Sequence, residues 1–165
     1  LIKKAKSGDK LAFTELMLQM QDELYKIAKI RLKNDDDVFD VIQDTMLSAY
    51  KSLKKLKHNE YFKTWIIKIL INECYKMKKY KREDSYETVG STLVSPDKTE
   101  EQINFKFICD KLSEEDGTII LLYYMEKYTD KEIGEILNMK ENTVRTKRNR
   151  IKNKIKKFYE EYGRI

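Results

Sequence analysis

Residues 128–157 read YTDKEIGEILNMKENTVRTKRNRIKNKIKK and have the pattern of a helix-turn-helix. Thr129 or Asp130 can cap a first helix, and Glu132 is placed to complete a capping box. Apolar residues then recur at helical spacing and predict a buried stripe. These residues are Ile133, Ile136 and Leu137. Gly134 in a helix interior costs about 1 kcal/mol relative to Ala, so its presence predicts a close approach by a second helix.

The turn and the start of the second helix follow directly. Asn138 can adopt the left-handed conformation that ends the first helix, and Met139 fills the corner. Glu141 or Asn142 then begins the second helix. Three of its apolar residues are spaced to face inward: Val144, Ile151 and Ile155. The residues left to face outward are Thr143, Arg145, Thr146, Lys147, Arg148, Asn149 and Arg150.

The second helix is strongly basic, because residues 140–157 carry nine Lys or Arg and one acid, Glu141. A helix of this kind can be an ordinary solvated face, or it can lie on a membrane surface. A membrane-surface helix needs neither the capped first helix nor the turn, whereas a DNA-binding helix-turn-helix needs both. The segment therefore predicts a surface that contacts DNA.

Composition predicts an all-α fold of two small domains. The chain has 165 residues, of which 41% are hydrophobic and 38% charged, with 5 Gly and 1 Pro. Hairpin signals are therefore nearly absent. The net charge of +6 is unevenly placed, since residues 1–83 carry +7, residues 84–101 carry −4 and residues 102–165 carry +3. Two basic blocks thus flank an acidic segment.

Residue types argue against several other classes of protein. Cys74 and Cys109 both lie in apolar helical patterns and are expected to be buried, reduced thiols. With His58 as the one histidine, neither a metal site nor a disulfide is expected. No run of 18 apolar residues and no signal peptide is recognisable, so the chain is expected to be cytoplasmic with no membrane insertion. An enzyme is the weakest hypothesis, because no nucleophile, metal or nucleotide constellation is present; no cofactor or small-molecule substrate is expected.

Residues 1–83 are predicted to form a first helical domain. Asp9 can cap a long helix over 9–32, and the acidic run 34–37 favours the start of a second helix. A polar connection over 56–61 precedes a third helix that ends in a basic run. The expected core positions of the three helices are Leu11, Leu16, Met20, Leu24, Ile27 and Ala28; Val38, Val41, Ile42, Thr45, Met46, Ala49 and Leu53; and Phe62, Trp65, Ile66, Ile69, Leu70 and Cys74.

Residues 84–101 lose the helical periodicity, contain the single Pro96, and are predicted to be a flexible linker. A new apolar pattern begins near Ile103, and Ser113 can cap a helix that carries Ile119 to Tyr123. Residues 102–165 are therefore predicted to be a second domain of four helices, the last two being the helix-turn-helix.

In this arrangement the chain resembles the extracytoplasmic-function (ECF) sigma factors of bacteria. Residues 37–50, DVFDVIQDTMLSAY, resemble the family's region 2.2, and residues 62–72, FKTWIIKILIN, resemble regions 2.3 and 2.4. Residues 128–157 resemble region 4.2. The similarity extends over nearly the whole chain in the family's order and spacing.

The resemblance implies a dissociable subunit that binds core RNA polymerase, recognises promoter DNA and starts transcription, without catalytic chemistry of its own. Asp40, Gln43 and Asp44 match positions that face the polymerase clamp helices. From the residues alone, these three would be taken as an ordinary solvated face. The linker further suggests that an anti-sigma factor can hold the two domains so that both DNA surfaces are covered.

For the minus 10 element, the resemblance points to the loop over 57–61 and to the third helix. Promoter melting needs stacking surfaces, amide hydrogen bonds and cations close together, and this segment supplies all three. We expect Trp65 to be largely structural, because it lies at core spacing, and His58 or Asn59 to help hold a flipped base. The full candidate set is His58, Asn59, Trp65, Lys68, Asn72, Tyr75, Lys76 and Lys79; Lys78 and Lys81 are further candidates.

For the minus 35 element, the resemblance points to Arg145, Thr146 and Arg150. The full candidate set is Asn142, Thr143, Arg145, Thr146, Lys147, Arg148 and Arg150. The Lys residues after Ile151 are expected to contact phosphates. This chain has Arg148 and Asn149 where family members usually carry an apolar residue and an aromatic residue or His, so the family's promoter preference does not transfer.

Two other hypotheses stay open at this point. A two-domain transcription regulator acting without polymerase would explain residues 128–157 but not the Asp40 helix or the basic Trp65 helix. In a helical scaffold that binds only protein, the basic faces would serve only to keep the protein soluble. Co-purification with core polymerase and initiation on a double-stranded promoter separate these hypotheses from a sigma factor.

Overall fold

The computed structural model describes residues 1–84, 108 and 110–162. The chain divides into two compact units, residues 1–92 and 93–165. All regular secondary structure in the described ranges is helical, which confirms the predicted all-α fold. The predicted linker lies, except for Asp84, outside the described residues, and so does Cys109.

Unit 1 is built from α1 (Ile2–Lys6), α2 (Lys10–Arg31), α3 (Asp35–Ser52) and α4 (Phe62–Asp84). Two short 3-10 turns, Leu53–Lys55 and Asn59–Tyr61, connect α3 to α4. The predicted cap of α2 is confirmed, because the Asp9 carboxylate accepts a hydrogen bond from the Ala12 amide. Helix α3 begins in the acidic run, as predicted, and Asn34 caps its first turn. The sequence had given no signal for α1.

The core of unit 1 lies between α2, α3 and α4. The side chains with at most 2% exposure there include Leu24, Ile27, Val38, Val41, Ile66, Ile67 and Leu70. Each such side chain contributes about 1.5–3 kcal/mol through burial. Cys74 is buried, as predicted. The prediction that Leu11 belongs to the core is wrong, because Leu11 is 83% exposed. At about 100° per residue it stands roughly 140° around α2 from the buried Leu16.

Unit 2 contains α5 (Glu114–Ile120), a π-helical turn (Leu121–Met125), α6 (Asp130–Leu137) and α7 (Glu141–Tyr162). Ser113 caps α5, and Thr129 with Glu132 forms the predicted capping box of α6. The predicted first helix of this domain lies almost entirely outside the described residues. The core includes Ile119, Leu121, Leu122, Ile133, Val144 and Ile151, each at most 1% exposed.

The turn between α6 and α7 has the predicted geometry. Asn138 is left-handed, with φ 57° and ψ 46°, and ends α6. A Cβ on Gly134 would lie 2.6 Å from the Met139 carbonyl oxygen and 3.5 Å from the Glu141 amide nitrogen. The close approach to Gly134 is therefore made by the backbone of the turn and by the first residue of α7.

Membrane-spanning character is not found in any helix of the described ranges, since none combines the length and apolarity needed to cross a bilayer.

Candidate nucleic-acid interface

Helix α7 presents the candidate minus 35 residues on a helix anchored by its apolar side. Val144 and Ile151 are fully buried, and Ile155 is partly buried. The candidate Asn142 is exposed, and so are most of the predicted outward side chains: Thr143, Arg145, Thr146, Asn149 and Arg150. Lys147 and Arg148 are only partly exposed.

Arg148 does not face outward, so that expectation is wrong. Its Nε and one terminal nitrogen donate to the two carboxylate oxygens of Asp130, each at 3.0 Å. Its guanidinium carbon lies 3.9 Å from the ring centroid of Tyr123. Only 15% of the Arg148 side chain and 10% of the Asp130 side chain are exposed. The chain thus has a partly buried ion pair where α7, α6 and the π-helical turn meet.

The electrostatics of this pair follow from the hydrogen bonds. The hydrogen bond from Arg148 lowers the pKa of Asp130, against the opposing effect of burial. The same hydrogen bond raises the pKa of Arg148 above its usual value. Both shifts favour the charged pair at neutral pH.

Arg145 is held more loosely on the same side of α7. Its Nε lies 3.4 Å from Asp130, and a terminal nitrogen lies 2.9 Å from Glu141. More than half of its side chain, 52%, remains exposed. Exposed ion pairs contribute about 0–1 kcal/mol, so Arg145 can exchange these acids for a DNA group.

On the other side of α7, acids of α5 face the cations. Lys147 pairs with Glu115. Arg150 and Lys154 approach the buried carboxylate of Asp116 at 3.7 and 3.8 Å. Arg150 nevertheless keeps 57% of its side chain exposed. At the start of α5 the sequence predicted only the cap by Ser113, and no sequence signal pairs Glu115 or Asp116 with α7.

In unit 1, the outer face of α4 carries the candidate minus 10 residues. Lys68, Asn72, Tyr75, Lys76 and Lys79 are all exposed. Trp65 is partly buried, and its ring lies 5.9 Å from that of Phe62. This position fits the expectation that Trp65 is largely structural.

Asn72, Tyr75 and Lys76 line an open depression of about 590 Å³ against the end of α3. The α3 residues that share it are Ser48, Lys51 and Ser52. Glu73 lies at its inner side, where it accepts hydrogen bonds from Ser48 and Lys76, each at 2.9 Å. The sequence pattern had not singled out Glu73, because an acid in a basic helix gives no signal of its own.

The segment over 56–61 is anchored by α1. Lys6 donates to the Asn59 side-chain oxygen at 3.0 Å and to the Leu56 carbonyl. Asn59 is therefore partly covered, whereas His58 is exposed beside Tyr61, with ring centroids 6.0 Å apart. The role of Lys6 was missed because 53 positions separate it from Asn59.

The candidate core-binding residues Asp40, Gln43 and Asp44 are exposed on α3. Two large apolar side chains lie on the same helix, Phe39 with 55% and Leu47 with 57% exposure. These side chains give α3 an exposed surface of mixed acidic and apolar character. In the described residues, no three His, Cys, Asp or Glu side chains come together as a metal site would require.

Comparison with known proteins identifies the family. Residues 16–83 match the Sigma-70 region 2 family, and residues 108–155 match Sigma-70, region 4. The ECF RNA polymerase sigma factor SigW of Bacillus subtilis is 28% identical over 176 residues, covering 94% of this chain and 93% of the relative. The chain belongs to the ECF sigma factors. These proteins are transcription initiation factors.

One further relative agrees with this assignment, and one solved structure agrees with the fold. The ECF RNA polymerase sigma-E factor of Haemophilus influenzae is 28% identical over 179 residues, covering 94% of this chain and 93% of the relative. The structure of the sigma factor RpoE, in complex with the anti-sigma factor NepR from Bartonella quintana, superimposes with a TM-score of 0.76 at 22% identity. That comparison covers 90% of this chain and 97% of RpoE and supports the fold.

Proposed function

We propose that this ECF sigma factor binds core RNA polymerase through α3, contacts the minus 10 element through unit 1 and reads the minus 35 element through α7. The observation that carries the proposal is that each unit presents a helix with exposed cations and amides, α4 in unit 1 and α7 in unit 2. Phosphate contacts of this kind supply affinity, and base contacts supply specificity. The factor works in the cytoplasm, where promoter DNA lies, and requires no cofactor or small-molecule substrate.

At the minus 35 element, α7 enters the major groove. Arg145, Thr146 and Arg150 approach base edges from the exposed side of the helix, and Arg to guanine is the commonest specific contact there. Asn142 and Thr143 lie at the start of the helix, and Lys147 contacts phosphate. Arg148 acts differently, because its contact with Asp130 makes it part of the support of α7.

At the minus 10 element, α4 holds single-stranded DNA. Asn72 and Tyr75 face the depression beside α3, and an amide next to an aromatic ring suits a base that has left the duplex. Tyr75 is supported from behind, since the guanidinium carbon of Arg31 lies 5.1 Å from its ring centroid. The remaining contacts of this surface come from His58, Asn59, Lys68, Lys76 and Lys79, with Trp65 supporting the helix.

Core polymerase binds the exposed face of α3. Asp40, Gln43 and Asp44 offer carboxylates and an amide to a basic helical partner, which gives specificity and fast association. Phe39 and Leu47 add apolar area to the same face, and buried apolar area of this kind strengthens a protein interface.

An anti-sigma factor regulates this sigma factor by covering its DNA-binding surfaces. The structural match to RpoE, which was solved in complex with the anti-sigma factor NepR, supports this part of the proposal. Promoter binding measured while a cognate anti-sigma factor is saturating should fall to background. Undiminished binding would refute the regulatory part alone.

Run-off transcription tests the main proposal. The full chain is added to core polymerase on duplex templates that carry candidate promoters, with matched templates in which the minus 35 or minus 10 element is scrambled. Specific transcripts are expected only from intact promoters. An Asp44→Lys variant should lose initiation and co-purification with core polymerase while keeping its duplex binding. Promoter binding by a protein that never co-purifies with core polymerase would favour a regulator that acts alone, and binding to protein without any DNA preference would favour a scaffold.

A further inference from the structure

Five cations of α7 pair with acids that lie outside the helix. On one edge, Asp130 binds two arginines. On the other edge, Glu115 and Asp116 face three cations. The cations positioned in this way are Arg145, Arg148, Lys147, Arg150 and Lys154. Between residues 142 and 153, the centre of the exposed face carries uncharged side chains.

The centre of the face is a line of amide and hydroxyl side chains, which we call the amide line. It consists of Asn142, Thr146, Asn149 and Asn153, spaced by four, three and four positions. This spacing places them on one side of a helix, and all four are exposed. Thr146 donates its hydroxyl hydrogen to the Asn142 carbonyl at 2.9 Å. The three Asn side-chain amides have no hydrogen-bond partner within the described ranges.

An unengaged amide suits one base in particular. An Asn side chain donates and accepts at the same time, which matches the N6 amino group and the N7 atom that adenine presents in the major groove. Lys and Arg only donate, so they suit guanine or phosphate. Asn149 lies centrally on the amide line, about 10.5 Å along the helix axis from Asn142. Arg145 and Arg150, which are proposed to approach neighbouring base edges, flank it around the helix.

We propose that Asn149 is a specificity-determining residue that reads a base of the minus 35 element and selects adenine. This inference rests on the proposed reading of that element by α7. A base-reading role for Asn149 differs from a phosphate-binding role, because loss of a base contact changes the sequence preference and leaves the salt dependence of binding nearly unchanged.

A selection experiment on the assembled holoenzyme tests the inference. Full-length protein with core polymerase is incubated with duplex promoters randomised across the minus 35 element, and the bound DNA is sequenced. The wild type should select adenine at one position at least. Asn149→Ala should reduce the adenine preference at one position by about fivefold or more, since about fivefold is the smallest discrimination that a bidentate base contact usually provides. The base preferences at the other positions should stay unchanged.

Two further variants sharpen the test. Asn149→Asp keeps the shape but can only accept, so the same position should shift from adenine towards cytosine, whose N4 amino group donates. Lys152→Gln is the matched control on the same helix, and it should weaken binding to all sequences alike. It should also lower the salt slope, which is the slope of log affinity against log salt concentration and counts the ions released on binding, by about one ion.

The possible failures are distinguishable. Wild-type holoenzyme that selects no sequence at all in the randomised element would refute the proposed reading by α7. Selection without an adenine position, or an Asn149→Ala preference identical to that of the wild type, would overturn the role of Asn149 while leaving α7 as the reading helix. If a variant does not fold, the wild-type selection by itself still shows whether any sequence is selected and whether adenine is selected at any position.

Discussion

Asp130 and Arg148 are joined by two hydrogen bonds of 3.0 Å, one to each carboxylate oxygen. Tyr123 covers the other side of the guanidinium group. One arginine therefore fastens the basic helix α7 to both α6 and the π-helical turn. Because Asp130 also lies 3.4 Å from Arg145, the same carboxylate connects the support of the helix to its exposed side.

Replacing Arg148 by Met should destabilise unit 2 by about 1.5–3 kcal/mol, since the change removes charged hydrogen bonds and leaves Asp130 without this partner. Urea unfolding followed by the NMR signals of unit 2 measures the effect. The salt slope of promoter binding should change by less than half an ion. Lys152→Met is the control, because it removes an exposed cation and should alter stability by less than about 0.5 kcal/mol. A loss of a full ion from the slope in Arg148→Met would instead identify Arg148 as a phosphate ligand.

The Asp130 carboxylate should make the stability of unit 2 depend on pH. Its pKa is lowered in the folded state, first by the hydrogen bond from Arg148. The stabilisation is therefore complete above the unfolded pKa of about 3.9 and is lost as the pH falls through the folded value. The stability difference between wild type and Asp130→Asn should be constant from about pH 8 to 5 and should shrink below about pH 4. A difference that disappears already near neutral pH would contradict the ion pair.

Gly134→Ala should destabilise the helix-turn-helix even though Ala favours helix by about 1 kcal/mol. The added Cβ would lie 2.6 Å from the Met139 carbonyl oxygen, so the turn backbone has to move. Overpacking of this kind costs about 1–3 kcal/mol, and the net effect should be a lower midpoint of urea unfolding for unit 2. Glu135→Ala, an exposed position on the same helix, should change the midpoint little. An unchanged or raised midpoint in Gly134→Ala would show that the turn backbone moves without a net loss of stability.

Lys6→Met should weaken recognition of the minus 10 element, although Lys6 lies outside the proposed binding surface. Met keeps most of the aliphatic stem of Lys6 but removes the hydrogen bonds to Asn59 and to the Leu56 carbonyl. Because the segment over 56–61 then loses its anchor, discrimination between a single-stranded minus 10 oligonucleotide and a scrambled one should fall severalfold in a fluorescence anisotropy assay. The control is Lys3→Met, an exposed lysine of the same helix. Equal losses in both variants would indicate a general effect of charge.

Arg145→Ala and Lys156→Ala should separate base reading from phosphate binding. Arg145→Ala should reduce discrimination between intact and scrambled minus 35 elements by about 1–3 kcal/mol. Lys156 is 76% exposed near the end of α7, so its loss should weaken binding evenly and lower the salt slope by about one ion. Competition binding at several salt concentrations measures both quantities. The same pattern in both variants would argue against base reading by Arg145.

Much of the fold was predictable because its signals are local. The cap at Asp9, the capping box of Thr129 and Glu132, and the left-handed Asn138 each depend on residues within a few positions of one another. Helical periodicity likewise predicted that Val144 and Ile151 face inward. Leu11 was placed wrongly because an apolar residue in a helix need not lie on the buried side, and only its angle around the axis decides this.

The sequence by itself determined the helices other than α1, most of their caps, the turn and the family to which the chain belongs, since all of these follow from near neighbours or from a pattern that extends along the chain. The tertiary structure alone decided which cations remain available to DNA. Arg148 meets Asp130 across 18 positions, Lys6 meets Asn59 across 53, and Ser48 meets Glu73 across 25. Periodicity gives the side of a helix on which a residue lies, but its partner depends on which other helix packs there, and that is a property of the folded chain.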